Sequence, residues 1–231
     1  MSDWVVDAVE QPQLWEIVYA RIRDAILDGT LAPGSRLVER DLAARFGTSR
    51  GPIRDAIREL ARQGLVADLP RRGTVVSTPT ARDLSEAYLV REALEYGACR
   101  TVVEIAADAE IGALEQHLAA FEAAWTSGAA YIDAAQHDLA FHRALVGLTR
   151  NSRMIAVYEQ MLGTTMLLLR AAAETSPRLR TGMEPWVHRD IVAALRERTA
   201  SRAREAVEAH YRVASERLFA ADLAPEPTER P

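Results

Sequence analysis

Asp138, His142, His188 and His210 are the residues of this chain whose types and spacing could do chemistry together. Asp138 and His142 stand four apart in AAQHDLAFHRALV, so on a helix they project from one face, one turn apart. His188 and His210 flank an expected helix hairpin, WVHRDIVAALRERTASRAREAVEAHY, with its turn near Thr199 to Ser201. His188 lies eleven residues before Thr199 and His210 eleven after it. At about 1.5 Å per residue both are roughly 16 Å from the turn, hence level across an antiparallel pair. Three imidazoles and a carboxylate suit a borderline divalent ion, zinc first, with nickel and others as alternatives.

The face that each residue occupies strengthens this reading. His142 shares its stripe with Ala135, Leu145 and Val146; His188 runs with Ile191, Val192 and Leu195; His210 runs with Ala203, Ala206, Val207 and Ala214. Ionisable groups on apolar faces are costly unless they satisfy one another or share an ion. His137, about 100° around the helix from Asp138, and His117, in an unrelated helix, read as ordinary partly exposed histidines.

The elements that must position these residues fall into a long helical region. From about residue 80 no strand pattern appears, and helices are expected at roughly 81–107, 110–126, 129–148, 152–174, 185–198 and 201–221. Gly128, the Thr149–Asn151 turn and the Ser176–Pro185 stretch with its prolines and Gly182 supply breaks. The expected architecture is mainly α: an antiparallel bundle of about six helices over 80–221, carrying the metal and effector site, with 222–231 as a disordered tail.

Residues 11–78 read differently. An amphipathic helix over about 11–28 carries Leu14, Ile17, Val18, Ile22, Ala25 and Ile26 on one stripe. A short helix over Glu39–Phe46 is stopped by Gly47, and Thr48 or Ser49 caps a second over about Arg50–Gln63. LVADL, the turn PRRG and TVVS then form a hairpin. This is the order of a winged helix-turn-helix. Arg50, Arg54 and Arg58 recur every four residues, away from the Ile53, Ile57 and Leu60 stripe, as a helix entering a major groove requires. Arg71 and Arg72 at the hairpin tip would reach the adjoining backbone or minor groove.

Charge supports the division. All 28 basic residues are arginine and the chain is −5 overall, yet residues 36–78 hold nine Arg against five acids, and residues 79–231 hold 17 Arg against 22. A basic lobe on an acidic body points to a polyanion partner for the lobe alone. The acidic N-terminus is not a secretory signal, and apolar runs such as MLLL at 166–169 are too short to span a bilayer, so a cytoplasmic location is expected, with no membrane partner. The lone Cys99 excludes an internal disulfide and reads as an inert buried thiol.

The stretch YARIRDAILDGTLAPGSRLVERDLAARFGTSRGPIRDAIRELARQGLVADLPRRGTVVS resembles the DNA-binding domain of the GntR family of bacterial transcription regulators. On YLVREALEYGA, HDLAFHRALVGLTRNSRM, His188 and AREAVEAH, the bundle resembles the FCD effector domain of the FadR subfamily in its six-helix, VanR-like form. The resemblance implies DNA contacts from Arg40, Ser49, Arg50, Arg54, Arg72 and Gly73, metal ligation by Asp138, His142, His188 and His210, and an effector contact from Arg91, with Glu95 structural. Gly51 departs from the family, which usually has a hydroxyl or small polar residue there. The function so implied is a transcription regulator and repressor, not an enzyme. It would act as a homodimer on a pseudo-palindromic double-stranded operator, controlled by a small organic acid at the metal. The alternatives are a metal-dependent enzyme that activates water at an open position, and a direct metal sensor.

Overall fold

A computed structural model describes residues 13–128, 130–175 and 186–219. The chain forms two compact units, which meet in sequence between Val76 and Ser77.

In the first unit, α1 (Leu14–Leu27) packs on α3 (Arg50–Arg62), and α2 (Glu39–Phe46) packs across α3. Val18, Ile22 and Ile26 from α1 meet Ile53, Ala56, Ile57 and Leu60 from α3 in a buried core. Leu14 and Ile17, expected on the same stripe, are 48% and 42% exposed. They belong to the first turn, ahead of the buried face that begins at Val18. Gly47 ends α2 at φ 63°, the left-handed geometry that a helix stop favours and that a side chain resists. Ser49 occupies the N-cap position of α3, but its side chain makes no capping hydrogen bond, contrary to the expected cap.

The wing is a two-stranded antiparallel ribbon, β1 (Val66–Leu69) and β2 (Gly73–Val76), in the register Val66↔Val76 to Leu69↔Gly73. Arg71 turns the chain at φ 65° and Gly73 re-enters the ribbon at φ 70°. The segment before α2 also lies along β2: Leu37 N–H donates to Thr74 O at 2.9 Å, and Val76 N–H donates to Ser35 O at 2.8 Å. Sequence alone gave no sign of this edge, because a single bridge has no alternation to read.

The second unit holds α4 (Ala81–Ile105), α5 (Asp108–Thr126), α6 (Tyr131–Gly147), α7 (Ser152–Thr175), α8 (Trp186–Arg196) and α9 (Ala200–Phe219). The expected helices all appear, with ends shifted by up to two residues among the described positions. The Ser176–Pro185 break, Ala129 and the expected tail at 222–231 lie outside the described residues. Thr80 starts α4 with a reciprocal cap: its Oγ1 accepts from Asp83 N–H at 3.3 Å, and its own N–H donates to Asp83 Oδ2 at 2.7 Å. Asn151 Oδ1 starts α7 by accepting from the N–H groups of Arg153 and Met154, both at 3.1 Å.

Helix α4 touches α6, α7, α8 and α9, so whatever it turns inward faces the middle of the bundle. The α8–α9 turn is pinned to it. Arg198, at φ 54°, donates to the carbonyls of Val103 and Ala106 at 3.2 and 2.7 Å and to Asp108 Oδ1 at 2.5 Å. A cation thus closes the carbonyl end of α4 and fixes the height of the hairpin that carries two histidines.

Candidate functional site

Helix α6 presents Asp138 and His142 one turn apart, α8 presents His188, and α9 presents His210; all four are buried. One ligand atom from each lies within 4.8 Å of the others. His188 Nε2 sits 2.8 Å from Asp138 Oδ1 and 3.1 Å from His142 Nε2, which is itself 3.6 Å from the same carboxylate oxygen. Around a tetrahedral ion, donors each about 2.1 Å from the metal stand roughly 3.4 Å apart, so the widest pair here would close by about an ångström and the tightest would open slightly. The donor chemistry fits a divalent ion, and the four residues could hold one. The levelling of His188 and His210 by equal distance from the turn holds: their ring centroids are 4.6 Å apart. His117 and His137 are both exposed and take no part.

The electrostatics separate the three imidazoles. Burial disfavours charge on all of them, but the Glu95 and Asp138 carboxylates outweigh it at His142 and raise its pKa to about 9. At His188 burial prevails over the help of Asp138 and the pKa falls; at His210 burial, with His188 and His142 adding to it, holds the pKa well below the ordinary value. Burial works against the Asp138 carboxylate, yet the neighbouring His142 and His188 keep its pKa well below the usual range. Without an ion, the site therefore carries one proton on His142 and two neutral imidazoles. The Nδ1 atoms of His188 and His210 are buried without a hydrogen-bond partner among the described residues.

Glu95 is the residue that sequence reasoning undervalued. It is fully buried on α4, one turn after Arg91, and its Oε2 lies 2.7 Å from His142 Nδ1. Its Oε1 accepts from Tyr158 Oη at 2.5 Å, from Tyr211 Oη, and from Arg91 Nη2 at 3.4 Å. Burial raises its pKa, but His142 and Arg91 overcome that and lower it to about 2. A glutamate on an otherwise apolar face four residues after an arginine was the available signal, and an i,i+4 ion pair explains that spacing equally well.

Arg91 is 2% exposed. Its guanidinium carbon stands 5.5 to 5.6 Å from the ring centres of Tyr88, Tyr158 and Tyr211, and its Nε donates to Tyr158 Oη at 3.1 Å. It lines one cavity with Tyr88, Asp138, His188, His210 and Tyr211, so the expected effector residue and the metal set share a space. Cys99 is buried and its thiol is pushed up to about 12 by burial, in keeping with an inert group.

On the first unit, Arg40, Ser49, Arg50, Arg54, Arg58, Arg71, Arg72 and Gly73 are all exposed. Arg54 is held across to α2 by Glu39, with Nη2 3.2 Å from Oε2, and Arg40 lies 3.2 Å from Asp41. Arg36, Arg40 and Arg50 line one shallow depression with Val38, Glu39 and Asp41. The sequence reading passed over Arg36, a lone arginine in a loop. Its guanidinium lies against the wing, where a Cβ on Gly73 would stand 3.7 Å from Nη2. Gly51 has no steric reason to be glycine: a Cβ there would meet only Ser49 Oγ, at 3.8 Å.

Residues 14–76 match the bacterial regulatory proteins of the gntR family, and residues 86–213 match the FCD domain. The chain belongs to the gntR family. The HTH-type transcriptional regulator YdhC of Bacillus subtilis is 34% identical over 143 residues, 62% of this chain and 64% of the relative, so the match spans just under two thirds of that protein. A protein of Paenarthrobacter nicotinovorans named "Probable D-xylose utilization operon transcriptional repressor" is 32% identical over 82% of this chain and 84% of its own. The solved structure of Escherichia coli McbR/YncC superposes with a TM-score of 0.74 at 20% identity, covering 91% of this chain and 99% of that one, and shares the fold. Among the described residues no helix is long and apolar enough to cross a membrane.

Proposed function

We propose that this gntR-family chain is a DNA-binding transcription regulator, a repressor, whose operator affinity is set by a small carboxylate bound at a divalent ion in the helical unit. The observation that carries the metal reading is the convergence of Asp138, His142, His188 and His210, all buried, to within 4.8 Å. Zinc suits three imidazoles and one carboxylate best, with nickel as the alternative. The ion would supply a Lewis-acid anchor for a carboxylate oxygen. Arg91, on the wall of the same cavity, adds positive charge beside that anchor, although Glu95 already meets one edge of its guanidinium.

Exposed arginines on α3, at the head of α2 and at the wing tip support DNA binding through Arg40, Ser49, Arg50, Arg54, Arg72 and Gly73. One recognition helix reads only a few base pairs, so a homodimer on a pseudo-palindromic operator doubles the reading length. A cytoplasmic site of action follows from that role.

The experiment selects bound duplexes from a random-sequence pool and measures affinity for the winner with zinc, with chelator, and with a panel of small organic acids. An enriched two-fold site whose affinity changes with metal and one acid together is the expected result. No enrichment over non-specific binding removes the DNA reading. Affinity that ignores both metal and acids removes the control mechanism.

A further inference from the structure

Of the three imidazoles in the cluster, His142 is the one whose far nitrogen is held by a carboxylate. Among the described residues the Nδ1 atoms of His188 and His210 have no hydrogen-bond partner, and His188 is oriented instead by edge-on packing against Phe121 and Phe141, with ring centres 5.2 and 5.0 Å away. His142 Nδ1 faces Glu95 Oε2 at 2.7 Å, with both side chains fully buried. An ionised carboxylate only accepts, so this contact keeps a proton on Nδ1, and the proton that an ion displaces is the one on Nε2, on the Asp138 and His188 side, which then offers its lone pair.

We propose that Glu95 is a positioning residue for metal binding: it fixes the tautomer and the ring orientation of His142, and through its other oxygen it ties the ion site to the aromatic cage of Arg91. The inference rests on the metal reading above. Its geometry is that of a carboxylate–histidine–metal relay, in which the outer carboxylate makes the imidazole a stronger donor. The same carboxylate is braced by Tyr158, Tyr211 and Arg91, so it cannot swing away when the ion arrives. Arg91 and the ion thus contact opposite ends of one rigid unit, Glu95–His142, and movement at either end shifts the other.

The test uses the full chain and cobalt(II) or zinc(II) alone as the probe. Dissociation constants are measured by competition with a chromophoric chelator for the wild type, for Glu95→Gln, and for the double variant Arg91→Met/Glu95→Gln. The double variant avoids leaving a buried guanidinium unpaired, and circular dichroism in chelator reports whether each chain folds. Compared at about pH 9, where proton competition for His142 has levelled off, folded variants should bind the ion about 10- to 100-fold more weakly and show altered cobalt absorption bands. A wild type that binds no ion overturns the metal reading itself. A wild type that binds tightly, with folded variants within about threefold of it, overturns the role of Glu95 alone. Long-range proton–nitrogen NMR of the metal-loaded wild type decides the matter even if the variants misfold. A proton on His142 Nδ1 with the ion on Nε2 supports the assignment, and the reverse tautomer refutes it.

Discussion

Metal binding should release one proton, and it should come from His142. Without an ion the Glu95 and Asp138 carboxylates raise this imidazole to about 9, against their opponent, burial. His188 and His210 are shifted downward and Asp138 is held ionised, so the other donors bring no proton to be displaced near neutral pH. At pH 7 the ion must therefore displace a proton bound about two pH units more tightly than the solution requires. At about 1.4 kcal/mol per unit that is roughly 3 kcal/mol, or about a hundredfold in affinity. The dissociation constant should fall by close to tenfold for each unit of rising pH between about 7 and 8.5, and level off above about 9. Calorimetric titration of zinc in two buffers of different ionisation heat counts the protons directly, and chelator competition across pH gives the slope. A release below about 0.3 proton with a flat affinity from pH 7 to 8.5 would refute the reasoning. The converse holds for the metal-free chain. A folded pKa raised above the unfolded value of 6.5 gives stability that is whole below pH 6.5 and is lost as pH rises through about 9. Chelated protein should accordingly melt at lower temperature at pH 9 than at pH 6.5.

Replacing His188 or His210 with Ala should sharply reduce zinc content by elemental analysis, whereas His137→Ala and His117→Ala, both at exposed positions, should leave it unchanged. Tyr158→Phe removes a buried hydroxyl that donates to Glu95 and accepts from Arg91; denaturant unfolding should show a loss of about 1.5–3 kcal/mol, and a neutral result would mean water replaces it. Arg54→Ala should weaken operator binding by about 1–3 kcal/mol per subunit with the fold intact, and Glu39→Ala, which frees Arg54 from its partner, should not weaken it in the same way. Gly51→Ala, on an exposed and uncrowded turn of α3, should raise stability by roughly 0.5–1 kcal/mol; a loss of stability would show that the glycine is needed for the backbone.

Much of the plan was written locally and could be read locally. Helices α4 to α9 follow from apolar spacing and from stops such as Gly128, because a helix is made of contacts three and four residues apart. Asp138 and His142 share a face for that reason. The hairpin placed His188 and His210 level, because a two-helix turn converts equal chain distance into equal height. The basic first unit and its arginine ladder were legible in the same way. Tertiary structure alone decided what stands behind those residues. Glu95 comes from a helix 47 positions away from His142, and neither periodicity nor composition links the two. Only packing α4 against α6, α7 and α9 turns one glutamate into the shared acceptor of a histidine, two tyrosines and an arginine. The proton balance has the same origin. A sequence specifies three histidines of equal intrinsic basicity, and it takes the fold, by setting which carboxylate lies beside which ring at full burial, to raise one and lower the other two.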